Sequence, residues 1–395
     1  MLVPPLSLYI HFPWCIKKCP YCDFNSHALK GALDAEQHEE KYIRALIADL
    51  DADLDDAGFD DNVGAATKDR KLISIFMGGG TPSLFSAKSF STLLHQIKRR
   101  IEFDANIEIT LEANPGTLEH DQFEAYLASG INRLSLGVQS FDDRQLKTLG
   151  RIHDADAAEN AIQAAKAAGF ENFNLDLMYG LPDQTAAAAV QDCLRAISHS
   201  PAHLSFYQLT IEPNTFFYHC PPRLPDDDQQ IEIQTALQNT LNQCGYRQYE
   251  VSAYSIAGRE CKHNLNYWQF GDYLGIGTGA HSKLTVGERV VRSWKQKHPE
   301  TYMAHIENNT AYKTQKPVPQ NQLLFEFMMN ALRLKAGIKL TTLQQRTGLS
   351  KNSAVAALQH AINQKWVEIT DETIRCTEPG YLFIDEILQH LLPES

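Results

Sequence analysis

Between Leu6 and Cys244 short apolar runs alternate with helical patterns six times, and this recurrence constrains the fold more than any other feature of the chain. Strands are read at Leu6–Ile10, Leu72–Met77, Asn106–Leu111, Arg133–Val138, Phe173–Met178 and Leu204–Leu209. Helices are read at Asp34–Ala57, Ala87–Ile101, Glu119–Ala128, Ala155–Ala168, Ala187–Ser198 and Asp227–Cys244, the first with Ile43, Leu46, Ile47, Leu50 and Leu54 on one face. The polar stretch Asp60–Lys71 reads as a surface loop. Strands joined by helix-length crossovers run parallel, because no tight turn can return the chain in the same direction. Six units are fewer than a closed eight-stranded barrel needs, so the expectation is an α/β partial barrel.

Sites on such sheets lie at the carboxyl ends of the strands. There the chain places Met77-Gly78-Gly79-Gly80-Thr81-Pro82, Glu112-Ala-Asn-Pro, Gln139-Ser, and Asp176 ahead of Gly180-Leu-Pro. Such punctuation after any one strand is ordinary loop chemistry; its recurrence after all of them is not. The loop after the first strand carries Cys15-Ile-Lys-Lys-Cys19-Pro-Tyr-Cys22, three thiols spaced C-x3-C-x2-C. A 4Fe-4S cluster takes thiolate ligands at its irons, so three cysteines leave one iron for a small molecule. The competing readings are a Cys3His zinc site completed by His11 or His27, and three unrelated buried cysteines.

The chain of 395 residues, 43% hydrophobic and 21% charged, is long enough for one large and one small domain. Without a long apolar stretch or a signal-like start, a cytoplasmic protein is expected. A net charge of −12 disfavours nucleic acid or an anionic membrane as the main partner. The five cysteines outside the motif, Cys193, Cys220, Cys244, Cys261 and Cys376, are scattered and odd in number, which suits a reducing compartment.

The cysteine loop resembles that of the radical S-adenosylmethionine (SAM) enzymes. Nearly the whole chain resembles their HemN-like branch, through Tyr9-Ile-His-Phe-Pro-Trp-Cys15, Gly78-Gly-Gly-Thr-Pro82, Glu112-Ala-Asn-Pro, Gly137-Val-Gln-Ser140, Leu149-Gly-Arg151 and Asn174-Leu-Asp176. That resemblance implies a six-unit, three-quarter barrel, with Cys15, Cys19 and Cys22 holding a 4Fe-4S cluster whose open iron takes SAM. It implies Tyr9 near the cluster, Gly79, Gly80 and Thr81 at the methionine end of SAM, and Glu112, Gln139, Arg151 and Asp176 around its amino acid, ribose or sulfonium. A zwitterion carrying a sulfonium needs both carboxylates and a fixed cation.

Two departures separate the chain from the coproporphyrinogen III dehydrogenase of that branch. The pattern C-x3-C-x2-C-x-C ends here in Phe24, and only eight residues precede Tyr9. Both match the HemW group of haem chaperones, as does His263-Asn264-Leu-Asn-Tyr267-Trp268, which carries that group's H-N-x-x-Y-W pattern. The resemblance implies haem as ligand, apo haemoproteins such as respiratory enzymes as partners, and no coproporphyrinogen oxidase activity; it admits a homodimer. A radical decarboxylase of coproporphyrinogen III and a zinc-stabilised interaction protein are the alternatives.

Leu274-Gly-Ile-Gly-Thr-Gly-Ala-His281 reads either as a wall of the haem or substrate cavity or as a structural turn, and His263 and His281 are the candidate haem ligands. Lys316-Pro-Val-Pro319 reads as a linker between a larger unit, 1–311, and a smaller one, 312–395. In the latter, helices at Gln322–Leu334, Thr341–Gly348 and Lys351–Lys365, a strand pair within Trp366–Cys376 and a last helix to Leu392 follow the order of a winged helix. Gln322–Ser395 holds seven Lys or Arg against eight Asp or Glu and lacks the basic stripe that phosphate contacts require, so a packing or lid domain is expected.

Overall fold

The computed structural model describes residues 1–29, 35–55, 66–117 and 120–392. Six parallel strands form in the expected order: β1 (Leu6–Phe12), β2 (Lys71–Gly79), β3 (Glu102–Ala113), β4 (Arg133–Gln139), β5 (Phe173–Tyr179) and β6 (His203–Gln208). The helices between them fall where the apolar periodicity puts them, at Ala35–Asp55, Ala87–Lys98, His120–Ala128, Ala155–Ala167, Ala186–Ser198 and Asp227–Gln243. Asp34, Asp56 and Ala57 of the first expected helix, the first half of the loop read at Asp60–Lys71, and Glu119 lie outside the described residues. No described helix is long and apolar enough to cross a membrane.

Local chemistry fixes the helix starts. Ser86, Asp154 and Thr185 each accept a backbone N–H with their side chains, and Asp226 with Gln229 closes a capping box.

The sheet is twice as wide as the six units. On one flank β6 is extended by β7 (Arg247–Glu250) and β8 (Ala253–Ser255), antiparallel; on the other, β9 (Asp272–Ile276) pairs parallel with β1 and is extended antiparallel by β10 (His281–Val286), β11 (Arg289–Lys295) and β12 (Lys313–Pro317). The order is β12-β11-β10-β9-β1-β2-β3-β4-β5-β6-β8-β7, an open arrangement that does not close into a barrel among the described residues.

The two faces differ in chemistry. Leu6, Leu8, Ile10 and Phe12 of β1 join Leu111 of β3, Leu134 and Leu136 of β4, and Leu175 and Leu177 of β5 in one buried apolar core under the crossover helices. The alternate residues give the other, inner face a polar lining. Onto it packs the helix Lys262–Trp268. Glu108 of β3 accepts the backbone N–H groups of Lys262 and His263, each at 3.2 Å, and so caps that helix from across the sheet.

The C-terminal unit is built on a second core, of Leu323, Phe327, Leu343, Ala361, Val367 and Ile374 among others, which Phe270 and Val290 of the large unit join. Its helices Leu323–Ala331, Leu340–Thr347, Lys351–Ala357 and Gln359–Asn363 and its strands Ile338–Lys339, Val367–Thr370 and Thr373–Cys376 follow a winged-helix order, with the third helix broken in two at Leu358. Lys313–Pro317 pairs with β11, so the stretch read as a linker begins inside the large sheet. The unit is fastened to both flanks: Val318 donates to Val290 O (2.8 Å), and Lys335 donates to Tyr249 O (3.0 Å) beside the Arg333–Glu250 ion pair (2.9 Å).

Candidate functional site

The loop after β1 folds back on itself. Cys22 N–H donates to Cys19 O (3.2 Å), and Lys18 Nζ donates to the carbonyls of Phe24 and Ser26 (3.0 and 3.3 Å). The loop is moored to the strand ends through Gly80 N–H to Phe12 O (2.6 Å) and Thr81 N–H to Trp14 O (2.7 Å). That close approach needs glycine, since a Cβ on Gly80 would meet Trp14 O at 2.5 Å. Gly79, at φ +115°, would meet the His11 ring at 2.4 Å. His11 is itself pinned, Nε2 to Asn25 O (2.8 Å) and Nδ1 to Tyr9 OH (3.0 Å).

Between this loop and the strand ends lies a cavity of about 350 Å³. Cys15, Cys19, Cys22, Gly79, Gly80, Thr81, Glu112, Gln139, Arg151 and Asp176 all line it. Tyr9, the remaining residue of the expected cofactor set, is not in that lining; its hydroxyl lies 3.0 Å from His11 Nδ1. Burial raises the Cys15 thiol, hydrogen bonding from Thr81 lowers it, and the other two thiols raise it further.

Glu112 Oε2 accepts Gly79 N–H (3.0 Å), yet burial and the neighbouring Asp176 push its carboxyl up to about 7. Burial also raises Asp176, opposed by hydrogen bonds from Ser135 (2.8 Å) and Asn174 (2.9 Å). Arg151 holds Gly137 O (2.9 Å) with one terminal nitrogen and reaches Cys19 Sγ (3.6 Å) with the other. The cavity therefore has a thiol wall with a fixed cation beside it and a carboxylate wall facing a glycine edge.

The thiols suit a cluster better than zinc. His11 is committed to Tyr9 and Asn25, and His27 to Asn25 Oδ1 (3.2 Å), so neither offers a fourth nitrogen. A 4Fe-4S cluster takes each protein ligand at a different iron and needs no fourth side chain when a small molecule fills the last position.

The two candidate haem histidines do not join this cavity. His263 is 1% exposed, with Nδ1 3.0 Å from Ser74 Oγ and its ring packed against Phe76 and Tyr267. A porphyrin cannot reach it while the helix Lys262–Trp268 lies on the sheet. His281 is exposed on β10, stacked on Trp294. The glycine-rich segment before it leaves β9 at Ile276 in a hydrogen-bonded turn: Thr278 O accepts Asn25 Nδ2 (3.1 Å), and Gly277 N–H donates to the buried Asp49 (2.9 Å). Asp49 in turn meets Lys295 and Tyr302, and Lys295 also meets Asp53 (2.8 Å). Among the described residues the C-terminal unit contributes none to the cavity.

Tyr21, Ser135, Tyr207 and Glu212 also line the cavity without having been singled out in the sequence. Gln139 adopts φ +69° at the end of β4, a left-handed conformation that nothing in its residue type announces.

Residues 9–193 match the model of the Radical SAM superfamily and residues 318–383 that of the HemN C-terminal domain. The solved coproporphyrinogen III oxidase HemN of Escherichia coli shares the fold, with a TM-score of 0.78 at 22% identity over 98% of this chain and 90% of that one. The heme chaperone HemW of Haemophilus influenzae is 50% identical over 395 residues, covering 100% of this chain and 99% of the relative. HemW of Escherichia coli is 45% identical over 393 residues, with 99% of each chain covered. On likeness of this extent the chain belongs to the HemW family of the radical SAM superfamily.

Proposed function

We propose that this protein is a haem chaperone which holds a 4Fe-4S cluster on Cys15, Cys19 and Cys22, binds SAM in the strand-end cavity, and passes haem to apo haemoproteins. The observation that carries the reading is the meeting of three thiols, a glycine edge, a cation and two carboxylates around one cavity of about 350 Å³. The relatives' names supply haem and the chaperone role.

When bound, the cluster and SAM would supply one-electron chemistry that no side chain offers. The chain's own residues bind and orient. Glu112 and Asp176 favour a cationic ligand in a cleft where burial strengthens each charge contact. Arg151 sets a positive charge against the thiolate of Cys19, and Gly79 and Gly80 let the backbone come close to the ligand. Thr81 and Ser26 steady the thiols of Cys15 and Cys22. Haem is held outside this cavity, which SAM would fill.

Anaerobic reconstitution tests the cluster. About four irons and four sulfides per chain are expected, and replacing Cys15, Cys19 or Cys22 by Ala should abolish the brown chromophore. One zinc per chain without sulfide would refute it. Haem added to the purified protein should give a Soret band, and coproporphyrinogen III with SAM and reductant should yield no protoporphyrinogen; decarboxylation at catalytic rates would make the protein a dehydrogenase.

A further inference from the structure

We infer that His203, which touches no part of the cavity, is a positioning residue for the SAM site: through Asn174 it ends a one-way hydrogen-bond chain on the carboxylate of Asp176. The inference rests on the reading that SAM binds in the strand-end cavity. The chain starts where the helix Lys262–Trp268 begins. Cys261 N–H donates to Tyr249 OH (3.3 Å), Tyr249 OH lies 2.8 Å from His203 Nε2, and His203 Nδ1 lies 2.7 Å from Asn174 Oδ1. Asn174 Nδ2 then donates to Asp176 Oδ1 (2.9 Å) and to Ser135 Oγ (2.8 Å), and Ser135 Oγ donates to Asp176 Oδ2 (2.8 Å).

Each direction along this path is forced. A buried histidine flanked by a cation loses its proton, and burial with Arg133 nearby drives His203 well below its ordinary value, so the ring has one N–H to give. The Asn174 oxygen already accepts Ser205 Oγ (3.1 Å) and can only accept again, so the N–H sits on Nδ1. Nε2 is then an acceptor, and the Tyr249 hydroxyl, itself accepting Cys261 N–H, donates to it. The His203 N–H fixes the Asn174 oxygen, which sends the two hydrogens of Nδ2 to Asp176 and Ser135. With His203 gone, the amide can turn over and present its oxygen to the carboxylate. Asn174 is 2% and His203 1% exposed, so water cannot take the histidine's place at no cost.

The path also ties the cavity to distant parts of the fold. Tyr249 lies on β7, where Lys335 of the C-terminal unit donates to its carbonyl, and Cys261 opens the helix that carries His263, Tyr267 and Trp268. The hold on Asp176 thus depends on how that helix and that unit sit.

The test is anaerobic SAM binding to the reconstituted holoprotein carrying His203→Leu, His203→Asn or Tyr249→Phe, each also combined with Asp176→Asn. His203→Leu should weaken SAM by about 2- to 10-fold, as loss of one or two buried hydrogen bonds would, with iron and sulfide content unchanged. His203→Asn, which keeps a nitrogen donor near Asn174, should recover most of that loss, and Tyr249→Phe should fall between. In the Asp176→Asn background the effect of His203→Leu should shrink towards nothing, because the group it positions is gone. Equal losses in both backgrounds, or none in the first, overturn the inference. SAM affinity unaffected by Asp176→Asn alone overturns the cavity reading instead.

Discussion

The strongest lever on the proposed cofactor site is the proton on Glu112. Its carboxyl lies at about 7 where 4.5 is ordinary, raised by burial and by Asp176 and restrained by Gly79 N–H. Because the folded value exceeds the unfolded one, the fold favours the protonated acid, and stability from this group is full below about 4.5 and lost as pH rises through 7. The difference sets a ceiling of about 3 kcal/mol at 1.36 kcal/mol per unit, reduced where the cavity admits water. Binding runs the other way. A cationic ligand needs the carboxylate, so SAM affinity should be level above pH 7 and fall towards tenfold per unit below it, about 1.4 kcal/mol at pH 6. Equilibrium dialysis of labelled SAM against reconstituted protein from pH 6 to 8.5 reads this directly. Glu112→Gln should bind more weakly at pH 8 and lose most of the pH dependence, the remainder belonging to Asp176, while the apo variant gains stability at pH 8. A flat wild-type profile, or an unchanged slope in Glu112→Gln, would refute the assignment.

Gly79→Ala should cost about 2–4 kcal/mol in urea unfolding, because a Cβ at φ +115° strikes the pinned His11 ring; a loss below 1 kcal/mol would mean the loop shifts freely. Lys295→Met leaves Asp49 without its cation in the core beside the glycine turn, while Asp53 keeps Lys313 (3.0 Å), and should cost about 3–5 kcal/mol, read as a lowered melting temperature; a neutral outcome would show that Asp49 simply takes up a proton. In haem titrations His263→Ala should keep its Soret band and His281→Ala should weaken or shift it, since only the second imidazole is reachable; the reverse result would mean that the helix Lys262–Trp268 leaves the sheet.

The six strand-helix units were legible because each strand is a compact apolar signal and four of the helices carry a side-chain cap. The cavity residues were legible too, because glycine, cysteine and paired acids at strand ends have few other uses. A further signal lay in Leu6-Ser-Leu-Tyr-Ile-His-Phe12, where apolar and polar residues alternate. A parallel strand covered on both faces by apolar packing reads as continuous hydrophobicity, so alternation here marks an inner face lined with hydrogen-bonding groups. What could not be read is what depends on distant partners. Asp272–Ile276 joins the sheet as a parallel neighbour of a strand more than 250 residues away. His263 looks like a free imidazole until Glu108 is seen holding its helix against the sheet. Gln139 carries no mark of its left-handed backbone.

Among the described residues the sheet of twelve strands leaves its two end strands without a further neighbour, and a strand edge is a template for a stray strand. One end finishes in Lys313-Thr-Gln-Lys-Pro317, where the exposed Lys316 and a residue without an N–H discourage addition. The other finishes in four residues whose Tyr249 carbonyl is already taken by Lys335 of the C-terminal unit. Cutting the chain after Pro317 would uncover that second end, so the truncated protein should self-associate through Arg247–Glu250. The small unit thus serves colloidal stability as well as packing, and its removal should be visible in light scattering before any loss of cofactor binding.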